Sequence, residues 1–291
     1  MTQGEPMRLA DGRLAALSWG EARAPTWLAL HGWLDNAASF SRLAPRLASS
    51  LGIRVVALDF AGHGHSRYLV GDGGYALWDY CHDVLDALDA LGLERAPLLA
   101  HSMGAGVACL LAAGLPERVE RLVLIDGLGA VTTAPSALPR QLRKGLQARR
   151  RPCASAPRYA DIESAVAARV AGSASPIDAE TARPLVERNL EALAWGEWRL
   201  RSDPRLRWAS PVRLTPDQVL AALGAMSCDV LLVEGQEGIL GEREGMTSRR
   251  AAVAELTRRV LAGGHHLHLE SERVDAVAET IVAHVRGTDR T

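Results

Sequence analysis

Ser102 stands in Ala100-His101-Ser102-Met103-Gly104, between the apolar run Ala96-Pro97-Leu98-Leu99 and the helix-like Ala105-Gly106-Val107-Ala108-Cys109-Leu110-Leu111. A serine on a sharp strand-to-helix turn is forced into strained backbone angles. Neighbouring backbone comes so close that the residues two before and two after it must be small. Ala100 and Gly104 meet that demand, with alanine where glycine is commoner. The hydroxyl of such a serine projects above the sheet as a nucleophile, and the next helix N-terminus offers backbone N–H groups to a developing oxyanion. Ser-x-Gly alone occurs in many loops, and a serine that merely caps the following helix is the bland alternative.

The elements that position this serine are short apolar strands alternating with amphipathic helices. Met7–Ala10 and Leu14–Leu17 flank the hairpin dipeptide Asp11-Gly12, so the first two strands should be antiparallel. Beyond them, Trp27–Leu30, Ile53–Asp59, Ala96–Leu99, Arg121–Ile125, Asp229–Val233 and Arg259–Ala262 read as buried strands. Helical periodicity covers Ala37–Ser50, Leu77–Leu91, Met103–Ala113 and Ser271–Val285. This alternation predicts an α/β fold, a mostly parallel sheet of eight strands with helices on both faces. Ligands of such sheets bind at the C-terminal ends of the strands. His31, Ser102, Asp126 and His265 all fall at or just beyond those ends, so residues far apart in sequence should meet in one crevice.

Four motifs carry a family resemblance. His31-Gly32-Trp33 follows one strand, and Asp59-Phe60-Ala61-Gly62-His63-Gly64-His65-Ser66 ends the next. The serine turn comes third, and Gly263-Gly264-His265-His266-Leu267-His268-Leu269-Glu270 precedes the last helix. In this order, from about residue 7 to residue 286, the chain resembles the α/β-hydrolase superfamily. More narrowly, His31–Asn36, Asp203–Leu206 with Ser210–Thr215, and Gly263–His268 resemble its serine hydrolase-like branch.

The resemblance implies a nucleophile, Ser102, and a general base, His265; an imidazole titrating near neutral pH can take a proton and return it. It implies that His268 and Glu270 support the loop, while His266 packs or faces solvent. Oxyanion donors would be the backbone N–H groups of Met103 and Trp33. His31 and His63 would brace their own loops. The triad acid has two family positions. After Asp229–Val233, Gly238 stands where an aspartate is usual, with Glu237 adjacent and Glu234 near. After Arg121–Ile125 stands Asp126, 126 − 102 = 24 residues beyond the serine, similar to haloalkane dehalogenases. We take Asp126 as the acid and Glu237 as its alternative. An aspartate capping the next turn is the structural reading of Asp126.

The expected organisation is a core of residues 1–126 and 227–291 interrupted by a mainly helical cap, 127–226. There the alternation breaks down into prolines, a basic stretch from Arg140 to Arg158 and a helix from about Asp178 to Ala194. The basic stretch reads as a solvated helix face with Leu138, Leu142 and Leu146 inward at helical spacing. Tyr75, Trp78 and Tyr80 read as core and surface residues rather than a ligand cage, and Gly71-Asp72-Gly73-Gly74 follows no strand, which discounts nucleotide binding.

Composition narrows the classes further. The 291 residues carry a formal net charge of −1, which attracts neither nucleic acid nor a membrane surface. Met1–Pro6 shows no signal segment, and no run of about 18 apolar residues could span a bilayer, so a cytoplasmic location is expected. Cys81, Cys109, Cys153 and Cys228 lack metal-site or redox spacing and read as reduced thiols. The expectation is a cofactor-independent and metal-free serine hydrolase acting on a small-molecule carboxylic ester, as monomer or homodimer. An amidase or carbon–carbon bond hydrolase could use the same residues, and a non-catalytic ligand receptor could share the scaffold.

Overall fold

Asp11-Gly12 turns the chain between β1 (Glu5–Leu9) and β2 (Leu14–Trp19), antiparallel with Leu9 opposite Leu14. The computed structural model describes residues 4–151, 155–173, 175–241, 243 and 245–288. From β3 (Thr26–Leu30) the alternation runs through α1 (Leu43–Leu51), β4 (Arg54–Asp59), α2 (Tyr80–Ala90), β5 (Ala96–His101), α3 (Met103–Gly114) and β6 (Val119–Ile125). An excursion follows, with α4 (Leu138–Arg150), β7 (Arg158–Tyr159), α5 (Ile162–Ala171), α6 (Ala179–Asn189), β8 (Leu190–Ala192), β9 (Trp198–Leu200) and α7 (Pro216–Ala225). The chain then returns to the sheet in β10 (Asp229–Glu237), α8 (Met246–Ala252), β11 (Leu256–Gly264) and α9 (Val274–Arg286).

The eight-stranded sheet has the order β1-β2-β4-β3-β5-β6-β10-β11, and only the pairings of β2 are antiparallel. Strands β3 to β6 are near-continuous apolar runs because helices cover both their faces. Successive side chains alternate between two cores. Leu58, Leu98 and Leu124 join one with Val84 and Val107 from α2 and α3. Val55, Leu99 and Ile125 join the other with Leu43 and Leu47 of α1 and Ile281 of α9. Each fully buried leucine stabilises by about 1.5–3 kcal/mol. Strand β11 is longer than its apolar stretch because it forms an edge whose outer face, carrying Arg258, meets solvent. The expected helix over 37–50 divides into a short 3-10 turn, Ala37–Phe40, and α1.

In the excursion, α5 and α6 pack Val166, Ala182, Leu185 and Val186 into a separate small core, beside an antiparallel sheet of order β7-β9-β8. The helix expected over 178–194 stops at Asn189 and its tail becomes β8. Helix α7 instead sends Val219 and Leu223 into the main core. The expectation for α4 was wrong: Leu138 and Leu146 are exposed and Leu142 only half-buried. Gly145 is the residue that packs inward, against the backbone of Pro211, and Gln141 donates to the Ser210 carbonyl. A glycine lets two backbones approach, and that approach outweighed leucine periodicity. Cys81, Cys109 and Cys228 are free thiols, while Cys153 lies outside the described residues. Among the described residues no helix is long and apolar enough to cross a membrane.

Candidate active site

Ser102 follows the last residue of β5 at φ 52° and ψ −111°, a strained conformation for any residue with a β-carbon. Two hydrogen bonds hold the turn: Ser102 N–H donates to the Ile125 carbonyl (3.1 Å), and Gly104 N–H to the His31 carbonyl (3.1 Å). A β-carbon on Gly104 would lie 2.6 Å from the Leu30 carbonyl carbon, so only glycine allows α3 to start this close to the end of β3. The serine side chain makes no capping bond to α3. Its Oγ lies 2.9 Å from His265 Nε2 instead.

His265 follows β11, and its Nδ1 lies 2.6 Å from Asp126 Oδ2. A carboxylate oxygen only accepts, so Nδ1 carries the proton and Nε2 faces the serine hydroxyl as an acceptor. Asp126 is fully buried directly after β6 at φ 41°, its N–H held by the Val233 carbonyl (2.8 Å). Its Oδ2 also accepts from Ile239 N–H (2.7 Å), in the loop that leaves β10. The carboxylate is therefore turned to His265 and that loop. Glu237 is exposed and accepts from Gly263 N–H (3.1 Å), and Glu234 is held by Arg250 and Arg258. The structure brings Ser102, His265 and Asp126 together and leaves Glu237 apart.

Met103 opens α3, and Trp33 lies in the loop after β3 with its indole N–H donating to the Leu206 carbonyl (3.0 Å). Two buried histidines hold this loop. His31 Nδ1 donates to the Gly32 carbonyl (2.7 Å) while its Nε2 accepts from Phe60 N–H (3.1 Å). His63 Nδ1 donates to the Ala61 carbonyl (3.2 Å), and its Nε2 accepts from Leu34 N–H (3.3 Å). His63 thus joins its own turn to the neighbouring loop, beyond the local bracing expected of it.

A family model for the alpha/beta hydrolase fold matches residues 25–271. The chain belongs to that family. A serine hydrolase-like protein of Dictyostelium discoideum is 32% identical over 270 residues, covering 89% of this chain and 75% of that protein. The crystal structure of a hypothetical protein from Pseudomonas aeruginosa PAO1 superposes with a TM-score of 0.87 at 42% identity, covering 98% of this chain and 100% of that one. The thioesterase domain from the curacin biosynthetic pathway superposes at 0.80 with 24% identity over 97% and 100% of the two chains, a likeness of fold alone.

Around the serine, this α/β-hydrolase buries a set of charged and imidazole groups. Asp35 Oδ1 takes a 2.7 Å bond from Arg169 of α5, and its Oδ2 lies 3.2 Å from His266 Nε2. Asp59 is held by both Arg188 Nε (3.1 Å) and Nη2 (2.7 Å) from α6, and by Ala37 and His65 N–H groups. Burial works to raise both carboxyls, and these partners outweigh it and hold them below the usual range. His266 packs against the His101 and His265 rings, as one of its two expected roles had it, and also lies against Asp35. His268 Nε2 meets Ser39 Oγ (2.9 Å) and Glu270 accepts from Gly264 N–H (2.9 Å), both loop supports. Burial lowers His31, His101 and His268, and pushes His63 down to about 3.

Sequence reasoning missed Asp35, His101, Arg169 and Arg188. For the first two there was a signal: an ionisable residue inside a motif, Asp35 in His31–Asn36 and His101 in Ala100–Gly104. The arginines lie among 33 basic residues, all but Lys144 arginine, and nothing local separates them from the rest. Tyr80 is buried, Trp78 is exposed, and the Tyr75 hydroxyl donates to Asp203 Oδ2 (2.7 Å), which suits structural roles for all three.

Proposed function

We propose that this α/β-hydrolase cleaves a small-molecule carboxylic ester through an acyl-enzyme on Ser102, without a cofactor. The observation that carries the reading is the unbroken hydrogen-bonded line from Ser102 Oγ through the His265 ring to Asp126, on a serine held in a strained turn. His265 takes the serine proton as Oγ attacks the ester carbonyl. The Met103 and Trp33 amides receive the oxyanion. His265 then returns the proton to the departing alkoxide, and water, deprotonated by the same ring, releases the acid and regenerates Ser102. Asp126 keeps the imidazole in the tautomer this cycle needs and stabilises it when protonated.

A serine nucleophile favours acyl transfer over dehalogenase or epoxide-hydrolase chemistry, whose alkyl-enzyme requires a carboxylate. The insertion 127–226 is proposed to act as a cap that excludes water and shapes the acyl site, although its last helix, α7, packs on the main core. Arg169 and Arg188 tie this segment to Asp35 and Asp59 of the core, and Asn36 Nδ2 donates to the Leu185 carbonyl (2.8 Å).

The test is intact-mass labelling with a fluorophosphonate, comparing the native protein with Ser102→Ala. One adduct on the native chain and none on the variant is expected, followed by aryl-ester turnover that the variant lacks. No adduct under conditions that label a control hydrolase, or turnover unchanged in Ser102→Ala, would overturn the reading.

A further inference from the structure

Three buried ligand atoms converge beside the serine turn: Asp35 Oδ2, His101 Nδ1 and His266 Nε2 all lie within 4.8 Å of one another. His101 sets the arrangement. Its Nε2 lies 2.9 Å from the His265 carbonyl, an acceptor, so Nε2 carries the ring proton. The opposite nitrogen, Nδ1, is then a bare lone pair, fully buried, with no hydrogen-bond partner. It faces Asp35 Oδ2 at 3.7 Å, lone pair to lone pair, a contact that a cation shared between them would turn from repulsive to favourable. Gly32 keeps the space clear: a β-carbon there would lie 3.0 Å from both Asp35 Oδ2 and His101 Nδ1.

We propose that Asp35, His101 and His266 form a binding site for a divalent transition-metal ion of the Zn2+ class. Two imidazoles and one carboxylate suit such an ion, and ligand atoms about 2.0–2.1 Å from a tetrahedral Zn2+ sit about 3.4 Å from each other. The observed 3.7 Å and 3.2 Å separations from Asp35 Oδ2 bracket that edge. His266 binds through Nε2 by moving its proton to Nδ1, which is buried and without a partner of its own. The fourth position is left for water. Arg169 stays on Asp35 Oδ1 and weakens the site electrostatically, so uptake is reversible and not a condition of folding.

The site is coupled to the serine through the chain itself. His101 precedes Ser102, and its ring holds the carbonyl of His265, whose neighbour is His266. Drawing the three ligands together shifts both residues, and the expected consequence is loss of turnover while the ion is bound. That consequence rests on the hydrolase reading; the binding does not.

Chelator-treated protein titrated with Co2+ alone tests the binding directly. Expected are visible absorption bands of tetrahedral Co2+ at one ion per chain, displaced by Zn2+, with affinity reduced at least about tenfold in His266→Gln and in His101→Gln. These two variants are preferred to Asp35→Asn, which also deprives Arg169 of its partner. His265→Gln keeps its backbone carbonyl and should keep the ion. No stoichiometric uptake overturns the proposal, and so does uptake unchanged in both variants or lost in His265→Gln. Stoichiometric binding without fluorophosphonate labelling would leave the site standing and remove only the hydrolase reading.

Discussion

Asp126 and Gly238 compete for one volume: a β-carbon built on Gly238 would lie 2.6 Å from Asp126 Cγ and 2.7 Å from its Oδ2. A carboxylate can reach His265 from the end of β6 or from the loop after β10, but not from both. Asp126→Asn is expected to reduce kcat by about 10^3–10^4-fold with folding intact, because the wrong imidazole tautomer is then favoured. Glu237→Gln should leave turnover nearly unchanged, since that side chain serves Gly263. The double variant Asp126→Gly with Gly238→Asp should recover part of the loss, and glycine tolerates the φ of 41° at 126. Aryl-ester kinetics of the four proteins check this. An acid elsewhere would show as an active Asp126→Asn.

The Asp59–Arg188 pair joins the end of β4 to α6, with Asp59 fully buried and Arg188 largely shielded. Arg188→Met leaves an uncompensated carboxylate and is expected to cost about 3–5 kcal/mol in urea unfolding. The two backbone donors that remain on Asp59 favour the lower end. Adding Asp59→Asn should recover much of that loss, because the charge has gone as well. A recovery no larger than the experimental error would mean that Arg188 acts by packing alone.

Four fully buried histidines, His31, His63, His101 and His268, are held below their ordinary value of 6.5. Above 6.5 both folded and unfolded chains carry them neutral. Below it the unfolded chain binds protons and the native state does not, so stability falls as pH drops, for His63 until about pH 3. Each contributes up to about 1.4 kcal/mol per pH unit between 6.5 and its own lowered value. Asp35 and Asp59, whose carboxyls are held below 3.8, add to the loss only at lower pH. Urea midpoints at about pH 8 and about pH 5 should differ clearly, and equal midpoints would contradict neutral burial.

Leu146→Gln should change stability by less than about 0.5 kcal/mol, because the side chain already meets solvent. Gly145→Val should cost about 1–3 kcal/mol, as its β-carbon would sit 2.6 Å from Pro211 N. Thermal unfolding of both variants distinguishes the observed face of α4 from the one its leucine spacing suggested.

The nucleophile turn, the parallel sheet and the placement of His31, Ser102, Asp126 and His265 at strand ends could be read from the chain because each rests on a local constraint. Small residues flank Ser102 since backbone must pass close to it, and strands buried on both faces have to be apolar throughout. Tertiary packing decided what local pattern leaves open. Asp126 rather than Glu237 faces His265 because the loop after β10 bends Gly238 onto the Asp126 carboxylate and turns Glu237 to Gly263. Likewise α4 presents Gly145 inward because Pro211, far along the chain, lies against it. Asp35, His101 and His266 look ordinary one by one. They come together only where the loops after β3 and β11 meet the end of β5, and there, cut off from water, each polar atom depends on partners supplied by other segments.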